Sequence, residues 1–321
     1  MYKNCPFYAL QSKKMLSQII GISNKKWFRQ KFVQQNITPY IERSGKPRLV
    51  EVPSAELKVI QKRIKNGLSK ISFPSYVYSG VKDKSYVNHA KNHIGERYLF
   101  KIDISAFFPN IPREKVYNFF KSEMQTSSDV AEILTNLCTS DLSRFLQNRK
   151  EIDAFLTDKK IKQLNHLCTG ASPSPLLSYL ANKDMFEEMR CVCNCHDITM
   201  TVYVDDAIFS CESPINSNVR KKILNIVTKY GYNVSKHKVK YYLPTMPKKI
   251  TGVIVKSNGH ITIPNKLRKK IIDRFDNYAD ENNRNKLYGC LIAARQIDHS
   301  AYPSIIEVIK HNKTTKKPPL N

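Results

Sequence analysis

The sequence predicts an α+β protein in which a mainly antiparallel sheet is backed by helices. Three observations carry this expectation. Residues 198–210 and 249–263 each read as strand, turn, strand. Several longer stretches instead repeat apolar residues at helical spacing. The two kinds of segment alternate as strand, helix, helix, strand–turn–strand, helix, strand, a split β-α-β order that builds one antiparallel sheet with helices behind it.

In chain order, residues 13–35 read as a basic helical region. Residues 40–53 read as a hairpin, because Ser44-Gly45 makes a turn between two alternating runs. A helix is expected over 54–71, starting at Ser54 after Pro53, with Leu57, Ile60, Ile64 and Leu68 on one stripe. Residues 97–104 are a strand, and Pro112 opens a helix carrying Val116, Phe119 and Phe120. Helical patterns fill 129–166. A Pro-rich turn over 170–175 leads into a helix with Leu176, Leu177 and Leu180 inward. The 198–210 hairpin is followed by a helix over 216–230 that Gly231 stops. Residues 249–255 and 260–263 pair across Ser257-Asn258-Gly259. The stretch 265–311 reads as helical and basic, and the last ten residues as a frayed tail.

Charge narrows the class of partner. The 321 residues carry 53 Lys and Arg against 27 Asp and Glu, a net charge of +26. Such an excess repels itself in a compact state unless a polyanion screens it. Nucleic acid and an anionic membrane surface are the two rivals. No apolar run is long enough to span a bilayer, and the first residues lack the apolar core of a signal peptide. The basic residues are spread along the chain, which favours a long nucleic-acid groove. Of eight cysteines, Cys5, Cys138, Cys168, Cys211 and Cys290 are scattered, as expected for reduced thiols in a cytoplasmic protein. Cys191, Cys193, Cys195 and His196 stand close together and read either as a zinc-ligand cluster or as a short hairpin edge.

The chemistry points to residues 203–206, Tyr-Val-Asp-Asp, at the centre of the 198–210 hairpin. Two adjacent acids in an apolar setting are costly unless a cation neutralises them, although acids in a turn are also often merely solvated. The split sheet brings Asp103, at the end of its strand, beside Asp205 and Asp206. Three carboxylates, with the backbone carbonyl of Ile104 as a further hard oxygen, suit two magnesium ions about 4 Å apart. That arrangement serves phosphoryl transfer.

Four segments then resemble the successive palm motifs of reverse transcriptases: Asp103–Phe108, Gly170–Ser178, Tyr203–Asp206 and Gly231–Lys238. Two more resemble elements of retron reverse transcriptases. His89-Ala-Lys-Asn-His93 is similar to their Asn-Ala-x-x-His element, and Ile250-Thr-Gly252 to their Val-Thr-Gly element. The resemblance implies a right-hand polymerase of fingers, palm and thumb. Fingers are expected over 1–100 and 121–166, palm over 101–120 and 167–255, and an RNA-binding thumb over 256–321.

The same resemblance implies roles residue by residue. Asp103, Asp205 and Asp206 would bind two magnesium ions and catalyse, with Ile104 as an added ligand. Lys46, Arg48 and Lys238 would face the triphosphate of a dNTP, with Arg63 a weaker candidate. Phe108 would gate against a ribose 2′-hydroxyl. Thr169 and Gly170 would lie against the nucleotide and template base, glycine suiting close approach because it lacks a Cβ. Tyr203 would pack near the primer end, and His93, Thr251 and Gly252 would contact primer or RNA. Tyr288, Tyr302, Lys286 and Arg295 would grip RNA stem-loops.

Departures from the family pattern are His89 for Asn, Thr169 for Gln, Ser235 for Asn and Ile250 for Val. The implied function is an RNA-directed DNA polymerase that copies part of a structured non-coding RNA into a branched RNA–DNA hybrid. Its partners would be that RNA, its DNA copy and an effector protein of anti-phage defence, with no membrane. The alternatives are another bacterial reverse transcriptase (group II intron-like, diversity-generating or abortive-infection type) and a non-catalytic RNA-binding scaffold on the same fold.

Overall fold

The computed structural model describes residues 1–95, 97–145, 149–278 and 280–314. In chain order the elements are α1 (Lys13–Ile20), α2 (Gln30–Gln35), β1 (Ile37–Glu42), β2 (Arg48–Pro53), α3 (Ala55–Leu68), α4 (Tyr86–Lys91) and β3 (Tyr98–Asp103). Next come α5 (Arg113–Asn118), α6 (Ser128–Cys138), β4 (Thr139–Asp141), α7 (Arg149–Asp158), β5 (Asn165–Leu167), α8 (Ser174–Leu180) and α9 (Lys183–Asn194). Then follow β6 (Thr199–Tyr203), β7 (Asp206–Cys211), α10 (Ser217–Lys229), β8 (Lys240–Tyr242), β9 (Lys248–Ile250), β10 (Val253–Val255) and β11 (Ile261–Thr262). The chain ends in α11 (Asn265–Asp276), α12 (Glu281–Ile297) and α13 (Pro303–Thr314).

Two compact units emerge. The first comprises Met1–Lys84, Phe100–Phe209 and Ile215–Lys240; the second comprises Ser85–Leu99, Ser210–Pro214 and the chain from Tyr241 on. The α+β class holds, with a four-stranded sheet in the order β6-β7-β3-β8. β6 and β7 are joined by a two-residue turn and therefore run antiparallel.

In the first unit, β1 and β2 pair antiparallel in the register Ile37↔Pro53 to Glu42↔Arg48. The hairpin rests on α7, where Leu49, Ile152, Phe155 and Leu156 share one apolar cluster. α3 begins where the Ser54 hydroxyl accepts the Leu57 N–H, and its stripe of Leu57, Ile60, Ile64 and Leu68 is buried. α5 starts after Pro112, and Val116, Phe119 and Phe120 are buried.

Several expectations are corrected. The basic region at 13–35 is broken, because Gly21 turns left-handed (φ 62°) after α1. The stretch 129–166 is not wholly helical: β4 and β5 flank α7 and pair with each other. Strands of three residues are too short to display a period. Residues 249–255 are not one strand. Thr251 (φ 41°) and Gly252 (φ 83°) fold them into β9 and β10, because a turn with two positive φ values reverses the chain tightly. The second unit's β10 then pairs with β11 across the Asn258-Gly259 turn.

The cysteine run is also corrected: it is neither a strand nor a hairpin edge. Cys191 and Cys193 lie on α9, with Cys195 as its C-cap. Met185, Phe186, Met189, Val192 and Cys193 are buried at helical spacing, while Cys191 and Cys195 are exposed. Among the described residues no helix is long and apolar enough to cross a membrane. Of the expected frayed tail, residues 315–321 lie outside the described residues.

Candidate active site

Successive residues of a strand point to opposite faces, so Lys101 and Asp103 at the end of β3 share one face. The neighbouring β6–β7 turn supplies the other two acids. Its residue Val204 is left-handed (φ 57°), a conformation that costs an L-residue roughly 1–2 kcal/mol and suits a β-branched one least. The strain is held from both sides. β6 and β7 flank the turn, and the Ile104 N–H donates to the Asp205 carbonyl at 2.9 Å. Tyr203, half-buried, ends β6 just before the turn.

Each acid meets different company. Asp103 is 5% exposed. Its Oδ1 accepts the Ser235 hydroxyl at 2.8 Å and its Oδ2 accepts Lys238 Nζ at 2.5 Å. Asp206 Oδ2 accepts Lys101 Nζ at 2.8 Å. Asp205 has no ion pair of its own among the described residues. Its carboxyl is pushed up to about 6, first by burial and then by the negative charge of Asp103 and Asp206. Burial also raises Asp206, against the opposing pull of Lys101. Three carboxylates thus face two ammonium groups, and the uncompensated charge settles on Asp205.

The residues expected around a nucleotide lie on three segments. At the tip between β1 and β2, Lys46 Nζ donates to His237 Nε2 at 2.7 Å, one residue before Lys238. Arg48 starts β2 and is exposed. After Asp103 the chain passes Ala106 (φ 45°) into a short 3-10 turn, Phe108–Asn110. Here the two phenylalanines part. Phe107 is buried against Tyr232, with ring centroids 5.4 Å apart, whereas Phe108 stays half-exposed.

The third segment is held by β2. The Glu51 N–H donates to Thr169 Oγ1 at 3.0 Å, and the Thr169 N–H donates to Glu51 Oε2 at 2.8 Å. A Cβ at residue 170 would lie 1.9 Å from the Glu51 carbonyl oxygen. Glycine is therefore demanded at 170 by β2 itself, before any ligand is considered.

Other expected residues are engaged elsewhere. Arg63 donates from Nη1 to the Ile20 and Gly21 carbonyls, closing the end of α1, so it is a structural cap rather than a free cation. In the second unit, His93 is fully buried, with Nδ1 2.7 Å from the Ser210 hydroxyl. Burial, together with the nearby His89 and Arg97, pushes its imidazole well below the usual range. With no exposed surface, His93 is packed within that unit. His89 Nδ1 lies 2.8 Å from Thr251 Oγ1. The 89–93 and 250–252 elements, far apart in sequence, thus meet within the second unit, where Gly252 is exposed.

Sequence reasoning missed four residues around this site: Lys101, His237, Glu51 and His166. Lys101 was legible, since it sits two residues before Asp103 on a strand. Ser235 appeared only as a departure from a family pattern, yet it bonds Asp103 directly. Glu51 and His166 carried no signal, because their pairing spans 115 residues of sequence.

The donor set of Asp103, Asp205 and Asp206 fits a hard divalent cation: it consists of carboxylate oxygens and keeps an excess of negative charge. It is not a closed cage, because among the described residues no three His, Cys, Asp or Glu side chains are gathered ready to hold an ion. Lys101 and Lys238 occupy carboxylate oxygens that a cation would share. Nor do the described residues at Cys191–His196 form such a group.

Residues 35–255, more than half of the chain, match the family model for reverse transcriptase (RNA-dependent DNA polymerase). Among curated proteins, the retron Se72 reverse transcriptase of Salmonella heidelberg is 25% identical over 232 residues, covering 70% of this chain and 54% of that protein. The retron Ec86 reverse transcriptase of Escherichia coli is 24% identical over 220 residues, covering 67% and 61%. The matches therefore span between half and two thirds of those relatives' length. A structure of telomerase from Candida albicans with a fragment of telomeric RNA aligns with 84% of this chain and 56% of that one, at 13% identity and a TM-score of 0.42, too remote to bear on fold or function. On the family match the chain belongs to the reverse transcriptases, and the curated proteins it resembles are those of retrons.

Proposed function

We propose that this protein is an RNA-directed DNA polymerase of retron type, extending a DNA strand on a structured RNA template. The family implies a divalent metal and deoxynucleotide substrates in general. The observation that carries the reading is the geometry of the acids: Asp103 ends β3, the Ile104 N–H ties the Asp205 carbonyl beside it, and Asp205, unlike Asp103 and Asp206, has no ion pair of its own among the described residues. Asp103, Asp205 and Asp206, with the Ile104 carbonyl, would hold two magnesium ions, which when bound would neutralise charge on the attacking and leaving oxygens.

The chain's own residues do the rest. Lys46, Arg48 and Lys238 bind the triphosphate, and Arg48 offers a bidentate fork. Lys238 leaves Asp103 for the phosphates as the nucleotide arrives. Phe108 packs against the sugar, Thr169 and Gly170 shape the floor under the base, and Tyr203 supports the primer end. In this reading the hairpin and α7 belong to the fingers, the sheet that carries the acids is the palm, and α11–α13 form the thumb. The net charge of +26 suits the phosphate backbone of the template and its copy.

The test is primer extension on an RNA template with magnesium, comparing the parent with D205N. Incorporation by the parent and its loss in D205N is the expected result; equal incorporation by both would sink the polymerase reading and leave an RNA-binding scaffold. Sequencing nucleic acid that co-purifies with the protein tests the retron assignment. A covalently joined RNA–DNA molecule is expected, whereas intron RNA alone would move the protein to another class of reverse transcriptase.

A further inference from the structure

Outside the acid cluster, the first unit buries a carboxylate–imidazole pair that the proposed chemistry does not use. Glu51 and His166 are both fully buried, with Oε1 and Nε2 3.1 Å apart. Taking two ionisable groups out of water is costly, and a well-packed apolar pair often serves stability equally well. Such a pair therefore calls for a reason beyond stability, and its neighbours supply one.

Most polar groups of Glu51 turn to one loop or to the strand leading into it, with Ser140 on β4 also beside its carboxylate. Oε1 faces His166 and Oε2 takes the Thr169 N–H. The Glu51 N–H goes to Thr169 Oγ1, and its carbonyl closes on Gly170, which has no Cβ to keep it away. On the other side, His166 bridges to Pro112, and the Leu167 N–H donates to the Ile111 carbonyl, just after the Phe108–Asn110 turn. The short strand β5 therefore ties together three segments: the hairpin that bears Lys46 and Arg48, the turn that bears Phe108, and the Thr169–Gly170 loop.

We infer that the Glu51–His166 pair is a positioning device that sets the shape of the incoming-nucleotide site, with Glu51 and His166 as positioning residues acting through Thr169 and Gly170. This rests on the nucleotide site proposed above. No covalent step is involved. The base of the β1–β2 hairpin and the Thr169–Gly170 loop move as one body, so any closure of the hairpin over a nucleotide is confined to its tip, around residues 43–47. One determinant of nucleotide affinity then lies in a fully buried carboxylate that never touches the nucleotide.

The experiment compares the full-length parent with E51Q, T169V and T169S. Two readouts are taken: KM and kcat for a single dNTP in primer extension, and deuterium uptake of the peptide containing Thr169 and Gly170. E51Q is expected to raise KM about tenfold while kcat changes less than about threefold, because the site is misshapen but the chemistry is intact. T169V, which keeps the side-chain shape but lacks the hydroxyl, is expected to move KM the same way by a smaller factor, and T169S to restore the parent value. Deuterium uptake at the loop should rise in E51Q and T169V.

A purely structural pair would instead lower kcat with the folded fraction and leave KM unchanged, and that result overturns the inference. Unchanged loop uptake in both variants overturns it as well. If E51Q does not fold, T169V and T169S decide alone. Should the parent itself fail to extend a primer, the polymerase reading falls, while the uptake measurement still judges whether Glu51 holds the loop.

Discussion

Glu51 and Asp205 are both acids removed from water in the same unit, yet their carboxyls move in opposite directions. Burial would push Glu51 up, but the His166 imidazole and the Thr169 N–H outweigh it and hold the carboxyl below the usual range. Asp205 is pushed up to about 6 because burial is reinforced by Asp103 and Asp206. Burial alone therefore does not mark a reactive site. Partnering does: a buried acid whose partners answer its charge is a fastener, and one whose neighbours repel it is waiting for a cation.

The largest expected effect breaks this comparison at the chemistry. D205N should reduce primer extension by about three orders of magnitude or more, since a carboxylate ligand of the proposed ions is lost. E51A should leave His166 buried without its partner and cost about 3–5 kcal/mol of stability, read from chemical denaturation. D205N should do the reverse. Removing a charge held up near 6 against an ordinary value of 3.8 should stabilise the protein at pH 8 by on the order of 2–3 kcal/mol. A lower melting temperature for D205N than for the parent would contradict the repulsion at the acids.

The pH dependence separates the two acids by sign. Asp205 has a raised folded value, so its unfavourable contribution is absent below about 4, grows as pH rises to about 6, and stays in full above that. Parent and D205N should therefore differ little in stability near pH 4 and most above pH 6. Glu51 has a lowered folded value, so its contribution is present above the unfolded value of 4.5 and is lost as pH falls through the folded one. The acid-side loss of stability should be steeper in the parent than in E51Q, measured by thermal unfolding from pH 6 downwards.

The smallest effect is expected at the exposed Lys46. K46A should change stability by less than about 0.5 kcal/mol. It should raise the KM for dNTP a few-fold, and the difference from the parent should shrink as salt is added.

Much of the fold was legible because its elements are long enough to show a period. The stripe of α3, the 198–210 hairpin and the helix after residue 216 all lie close to where spacing puts them. The elements that escaped are short or ambiguous. β4 and β5 span three residues each, and β9 and β10 are divided by a turn whose first residue is Thr251. The cysteine run is ambiguous because 191, 193 and 195 alternate, while the helical spacing that decides it lies just before, at Met185, Phe186 and Met189.

By itself the sequence pointed to the family and singled out the three acids as candidates, because those signals reside in residue types at close spacing: Asp205 beside Asp206, and motifs in a recognisable order. Only the tertiary structure decided which charges answer each other. Lys101 on Asp206, Ser235 and Lys238 on Asp103, Lys46 on His237 and Glu51 on His166 join residues far apart in the chain. The reason is physical. A pKa or an ion pair depends on distance and burial in space, and a strand carries no mark of which neighbour it will meet.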